Sequence, residues 1–206
     1  MKKTITLLLF FIATTISAQD QYTKGMQKAF QLWAEGNSTE ASNLFERISM
    51  AEMDNWLPHY YVAQINTFAA FTEQDKGKLT QLLGKAQEAL DIAKTISPDN
   101  VEIMVQQAMI HTAWLAFDGA TYGMTLSPKI ISLYAKAMTM APKNPRVVLS
   151  KAEWDIGSAN YFKQDTSPFC KEVERSLELF DNFKPESPFH PNWGKERAIE
   201  VVATCK

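Results

Sequence analysis

The chain reads as an all-α protein, an array of about four helical hairpins followed by a C-terminal capping helix. Three observations carry that reading. Pro58, Pro98, Pro142 and Pro185 recur at intervals of 40, 44 and 43 residues, and a period of roughly 20–50 residues marks stacked supersecondary units. Apolar residues between the prolines recur at helical spacing, whereas alternating Val/Ile/Thr runs are weak. Gly and Pro are sparse inside the long segments and gather at their ends.

The first 18 residues read as an export signal. Lys2 and Lys3 precede an uncharged, mostly apolar run from Ile5 to Ile16, and Ser17-Ala18 offers a small-residue cleavage point before Gln19. This is the layout of a secretory leader, and the run is shorter than the roughly 20 residues a membrane-spanning helix needs. Residues 19–206 are then expected to form a single helical-repeat domain in the periplasm or outside the cell, with no membrane span. Removing the leader takes away two lysines and moves the net charge from −2 to −4. With no basic run, nucleic acid is not expected as a partner.

The helices follow in order. Tyr22–Glu35 ends at Gly36-Asn37, and Ser38 is placed to cap Thr39–Met53. His59–Thr72 stops near Asp75-Lys76-Gly77, and Lys78–Ile96 stops before Pro98. Val101–Phe117 leads into an apparent loop, Asp118–Ser127. Pro128 then occupies the first turn of a helix running to Met140, where its missing N–H does no harm. Pro145–Phe162 and a helix from Ser167-Pro168 to Phe183 follow, and Asn192–Thr204 closes the chain. The hairpins thus cover about 22–53, 59–96, 101–141 and 145–183, with a last helix over about 192–204.

The second helix of each hairpin shares a register. Ala86, Leu90, Ala93 and Pro98 fall at offsets 0, 4, 7 and 12, and Ile130, Tyr134, Ala137 and Pro142 repeat them. Val173, Leu177, Phe180 and Pro185 repeat all four, while Ala41, Phe45 and Ile48 repeat three, with Pro58 arriving late. Offsets 0, 4 and 7 share one helical face; a small residue there admits a neighbouring helix, and proline ends the run. The register resembles the tetratricopeptide repeat (TPR), which implies a TPR-like α-solenoid with a concave binding face. The spacing here is longer than in that repeat, and the first helices keep mainly its small residues, such as Ala108 and Ala152.

The chain also resembles the exported TPR-like proteins of Bacteroidetes. The likeness rests on Ser17-Ala18-Gln19, the stretch Asp118-Gly119 through Ser127-Pro128, Pro142-Lys143-Asn144-Pro145-Arg146, Pro191-Asn192-Trp193-Gly194 and a Cys near the C-terminus. Where members carry a Gly-rich segment before the last repeat helix, this chain has Thr166-Ser167-Pro168-Phe169-Cys170. The resemblance implies fold and compartment more than activity.

Cys170 and Cys205 lie symmetrically about the loop Lys184–Pro191. If the last two helices fold back antiparallel, the thiols come level, and an oxidising compartment would join them. Chemistry beyond that is poorly supported. His59, His111 and His190 show no metal-ligand spacing, and neither a nucleophile elbow nor a Gly-rich phosphate loop is present. No catalytic residue, metal or cofactor is expected, and the chain reads as a non-enzyme.

Two aromatic groupings have alternative readings. His111 and Trp114 share a face of their helix, as a groove-lining pair or as core. His59, Tyr60 and Tyr61 beside Trp56 form a platform for a peptide or sugar, or inter-hairpin packing. The expected function is capture of a peptide or partner protein on a concave face lined by Tyr60, Gln64, Thr67, Val105, Met109, Thr112, Leu149 and Glu153. Asp118, Tyr122 and Met124 are added as loop candidates, because loops carry function disproportionately. The alternative is an accessory small-molecule or glycan-binding protein of the cell envelope.

Overall fold

A computed structural model describes residues 19–205. The leader and its cleavage point at Ala18-Gln19 lie outside the described residues. Among those described there are nine helices and no strand: α1 (19–34), α2 (Ser38–Ala51), α3 (Trp56–Thr72), α4 (Lys76–Ile96), α5 (Val101–Phe117), α6 (Gly119–Met140), α7 (Pro145–Tyr161), α8 (Ser167–Asn182) and α9 (Lys195–Thr204). The all-α expectation holds. No helix among the described residues is long and apolar enough to cross a membrane.

Sequential helices pack together, most extensively α3 on α4, α5 on α6 and α7 on α8. The first helices of these pairs also touch, α3 with α5 and α5 with α7. The register positions carry the packing. Ala41, Phe45, Ala86, Leu90, Ala93, Ile130, Tyr134, Ala137 and Val173 are all buried. One apolar cluster joins α1 through α5, a second joins α5, α6 and α7, and a third joins α7, α8 and α9.

Capping side chains set several helix starts. Asn55, Asp75, Asn100 and Asn144 each accept a backbone N–H from the first turn of their helix, satisfying donors that have no partner within the helix. Ser38 does not cap α2: Asn37 precedes the helix, and Ser38 is its first residue. Pro58 does not end α2 either. It lies in the first turn of α3, which begins at Trp56, where a missing N–H costs no helical bond.

The apparent loop Asp118–Ser127 is helical. Asp118 is at once the C-cap of α5 and the N-cap of α6, so the turn is a single residue. Its carboxylate accepts the Thr121 N–H at 3.0 Å and the Thr121 hydroxyl at 2.6 Å. Pro128 is therefore inside α6. It deprives the Met124 carbonyl of a helical partner, on a flank where Met124, Thr125 and Lys129 are exposed to water. Gly119 and Gly123, which read as loop residues, have open space around them and obstruct nothing.

After α8 the chain runs back across the molecule as residues 183–194. Phe189 packs on Tyr22 and Phe30 of α1 and accepts the Tyr61 hydroxyl at its carbonyl, 2.7 Å away. The Trp193 indole packs on Phe68 and donates to the Tyr60 hydroxyl at 2.8 Å. This use of Trp193 is why α9 starts at Lys195 and not at Asn192. Gly194 adopts a left-handed φ of +109° as the N-cap of α9. A Cβ there would lie 2.9 Å from the Phe180 ring and 3.3 Å from Leu149.

The disulfide between Cys170 and Cys205 forms as expected and encloses the whole return segment. It joins the start of α8 to the residue that follows α9. The chain-entropy account assigns a closed loop of this size about 3–4 kcal/mol.

Replacing both cysteines by serine is expected to lower unfolding free energy by about 2–5 kcal/mol, read as a shift in urea midpoint. Reductant should shift the wild type equally and leave the variant unmoved. Gly194→Ala is expected to cost about 1–3 kcal/mol, because it combines a strained φ with overpacking; a thermal midpoint equal to wild type would contradict the close approach to Phe180.

Candidate functional site

The face expected to bind a partner is largely interior. Tyr60, Gln64, Thr67, Val105 and Leu149 are fully buried. Met109, Thr112 and Glu153 are partly buried. Glu153 is bridged to Arg197 at 2.7 Å, and burial raises its carboxyl above the usual range despite that partner. Trp193 closes over this face through the Tyr60 hydroxyl, and Gly194 presses on Leu149. Trp56, Tyr60 and Tyr61 pack against one another and, through Trp56, against His190. The aromatic platform is thus inter-helix packing. Burial pushes the Tyr60 and Tyr61 phenols well above their ordinary range.

Beneath the return segment is an ion pair closed to solvent. Arg146 of α7 meets Glu102 of α5 with two parallel bonds, Nε to Oε2 at 2.7 Å and Nη2 to Oε1 at 2.6 Å; the side chains are 0 % and 1 % exposed. Asn144 donates a third bond to Glu102 at 2.6 Å while capping α7. The Phe183 ring covers the guanidinium at 4.3 Å. Gln106 donates to Thr67 at 2.8 Å. The Nη1 of Arg146 and the carbonyl oxygens of Gln64 and Gln106 have no protein partner.

An open groove lies elsewhere, between α4, α5 and α6. A groove of about 590 Å³ is lined by Gln87 and Lys94 of α4, Gln107 and His111 of α5, and Pro128, Lys129, Ser132 and Leu133 of α6. Gln87 and Gln107 exchange two amide bonds, each 2.8 Å. The Gln87 amide nitrogen also donates to the Asp91 carboxylate at 2.9 Å. The Gln107 nitrogen lies 3.4 Å from Nε2 of His111. Burial, and secondarily the charge of Lys129, holds the His111 imidazole below its ordinary pKa, which favours the neutral form. Trp114, one turn along α5, packs on Tyr122 of α6 with ring centres 5.1 Å apart.

Of the residues singled out beforehand, His111 lines this groove, and Trp114 and Tyr122 pair beyond it on the same two helices. Asp118 is a helix cap, its carboxyl lowered by its Thr121 bonds, and Met124 is 92 % exposed on α6. Gln87, Lys94, Gln107 and Lys129 were missed. The available signal was the paired spacing of Gln87 with Asp91 and of Gln107 with His111, each four apart. Among the described residues no group of three or more His, Cys, Asp or Glu is placed to hold a bare metal ion.

No protein-family model and no curated protein sequence matches the chain. Its fold is similar to that of a solved structure, the HusA haemophore from Porphyromonas gingivalis, with a TM-score of 0.78 and 21 % identity over 90 % of this chain and 92 % of that one. At that identity the likeness is one of fold.

Breaking the interior ion pair is expected to be costly. Arg146→Met leaves a buried carboxylate with only Asn144 beside it, and should cost about 3–5 kcal/mol in urea unfolding. Adding Glu102→Met should restore most of that loss; a double variant as unstable as the single would show that the charges themselves are needed.

Proposed function

We propose that this is an exported, non-enzymatic binding protein that captures an anionic, planar tetrapyrrole of the haem class in the α4–α5–α6 groove. Its 1–18 leader would direct it to the periplasm or the cell exterior, and residues 19–206 would act as one binding domain.

The groove carries this reading. It combines an imidazole, two ammonium groups and the apolar surfaces of Pro128 and Leu133 in one opening. Its volume is within the roughly 300–1,000 Å³ of small-ligand sites, and its lining is mostly polar, with Pro128 and Leu133 as the apolar surfaces. Two lysines beside a site suit a ligand with carboxylates, and they stand out in a chain whose net charge is −2. The fold likeness to a haemophore supports the ligand class.

The second reading is a protein or peptide partner on the concave face of a TPR-like array. It is favoured by the three polar atoms of Arg146, Gln64 and Gln106 that lack partners there. It requires residues 183–194 to leave α3 and α7, with loss of the bonds to Tyr60 and Tyr61.

Titration of the folded protein with haemin, read by quenching of tryptophan fluorescence and by the ligand's absorbance, should saturate at a Kd of about 1 µM or tighter. An extended peptide or a glycan should give no saturable response. A flat haemin titration with a saturable peptide response would replace the first reading by the second.

A further inference from the structure

We propose that residues 183–194 are a built-in occupant of a docking face on α3, α5 and α7, and that this face takes an extended protein segment with two aromatic anchors, which displaces them. The inference goes beyond capture in the α4–α5–α6 groove and does not depend on it.

The return segment is held in the manner of a docked peptide. Phe189 packs on the rings of Tyr22 and Phe30, and Trp193, four residues on, packs on Phe68. Buried aromatic anchors of this kind dominate the energy of docking. Among the described residues, two hydrogen bonds tie the segment to α3. The Tyr61 hydroxyl donates to the Phe189 carbonyl at 2.7 Å, and the Trp193 indole donates to the Tyr60 hydroxyl at 2.8 Å. Its two ends are secured separately, because α8 and α9 pack together and the disulfide joins them. The segment can therefore lift while the helices that carry it stay in place.

This occupant leaves polar groups of the face unmatched. Nη1 of Arg146, a donor, and the carbonyl oxygens of Gln64 and Gln106, both acceptors, are buried without a protein partner. Each lies beside a contact of the segment. The Gln64 amide nitrogen is 3.5 Å from the Tyr60 hydroxyl, Gln106 bonds Thr67 next to Phe68, and Phe183 covers the Arg146 guanidinium. An extended backbone supplies what they need, N–H groups for the glutamines and a C=O for the arginine. The return segment is poor in the first, because Pro185, Pro188 and Pro191 have no N–H. Unpaired buried polar groups are costly. A segment that pairs them thus competes with the resident one, whose advantage is that it is tethered.

The probe is a fluorescein-labelled synthetic copy of residues 183–194 carrying Pro188→Ala and Pro191→Ala, which keeps both aromatics and gains two N–H donors. In the protein, Trp193→Ala removes one resident anchor and leaves the face intact. Fluorescence anisotropy should then show the probe bound roughly 10–100-fold more tightly than by wild type, as for a site open in about 1–10 % of wild-type molecules. Phe189→Ala loosens the other anchor and should act in the same direction. Gln106→Leu added to Trp193→Ala should weaken the probe, and a probe with both aromatics exchanged for alanine should not bind. Helical circular dichroism is the folding control. Hydrogen exchange needs no variant: excess probe should speed exchange within residues 183–194 of the wild type with the Cys170–Cys205 bond intact. A folded Trp193→Ala protein that binds the probe no more tightly than wild type overturns the proposal. Tighter haemin binding by that variant, read by absorbance, would give the covered face to the ring and overturn it as well. Haemin binding equal to wild type keeps the two faces separate, so failure of the groove reading leaves this one standing.

Discussion

The buried pair between Glu102 and Arg146 constrains more of this molecule than any other contact. Two charges closed to water are tolerated only when they complete each other, since desolving each costs several kcal/mol. Here the carboxylate receives two bonds from the guanidinium and one from Asn144, so α5 and α7 are held in one relative position. The same Asn144 caps α7, which ties the start of the helix to the pair. The exposed side of the guanidinium is covered by Phe183, a favourable use of an aromatic face. Phe183 directly follows α8, so the pair also sets the direction in which the chain leaves that helix.

The course of residues 183–194 follows from that direction. The segment meets each apolar cluster in turn: Phe189 joins the one spanning α1 to α5, Trp193 the one around α5 to α7, and Gly194 presses on Leu149 and Phe180 in the last. The disulfide closes a loop that contains the segment entirely, reducing the freedom it must lose on folding. The face of α3, α5 and α7 is consequently occupied by the protein's own chain. An open groove remains between α4, α5 and α6, lined by residues of those three helices.

Sequence legibility divides along the same line. Ala86, Leu90 and Ala93, like Ile130, Tyr134 and Ala137, could be read because burial on one helical face imposes a spacing that survives without coordinates. The Cys170–Cys205 bond could be read because antiparallel helices make residues equidistant from a turn into neighbours. Pro58 and the stretch Asp118–Ser127 misled for a local reason. Proline and glycine propensities are weak priors, and they were outweighed by capping at Asn55 and Asp118 and by the packing of α5 on α6. The return segment was illegible because its partners, Tyr60 and Tyr61, are 133 and 128 residues away, and no periodicity encodes such a pairing.

The groove was half legible for a related reason. His111 drew attention as a rare residue, but Gln87, Lys94 and Lys129 lie on other helices and look, in sequence, like any solvated face. The interior glutamines and the groove glutamines differ physically. In the interior, Gln64 and Gln106 each leave a carbonyl oxygen without a partner beneath a closed surface, an arrangement that costs stability. In the groove, the Gln87 and Gln107 amides satisfy each other and Asp91, and Nε2 of His111 is left with only a long contact. A ligand entering there displaces no strong internal bond, whereas one entering the α3–α5–α7 face must first remove Trp193 from Tyr60. The lower cost of entry is the physical reason the proposed capture is assigned to the α4–α5–α6 side.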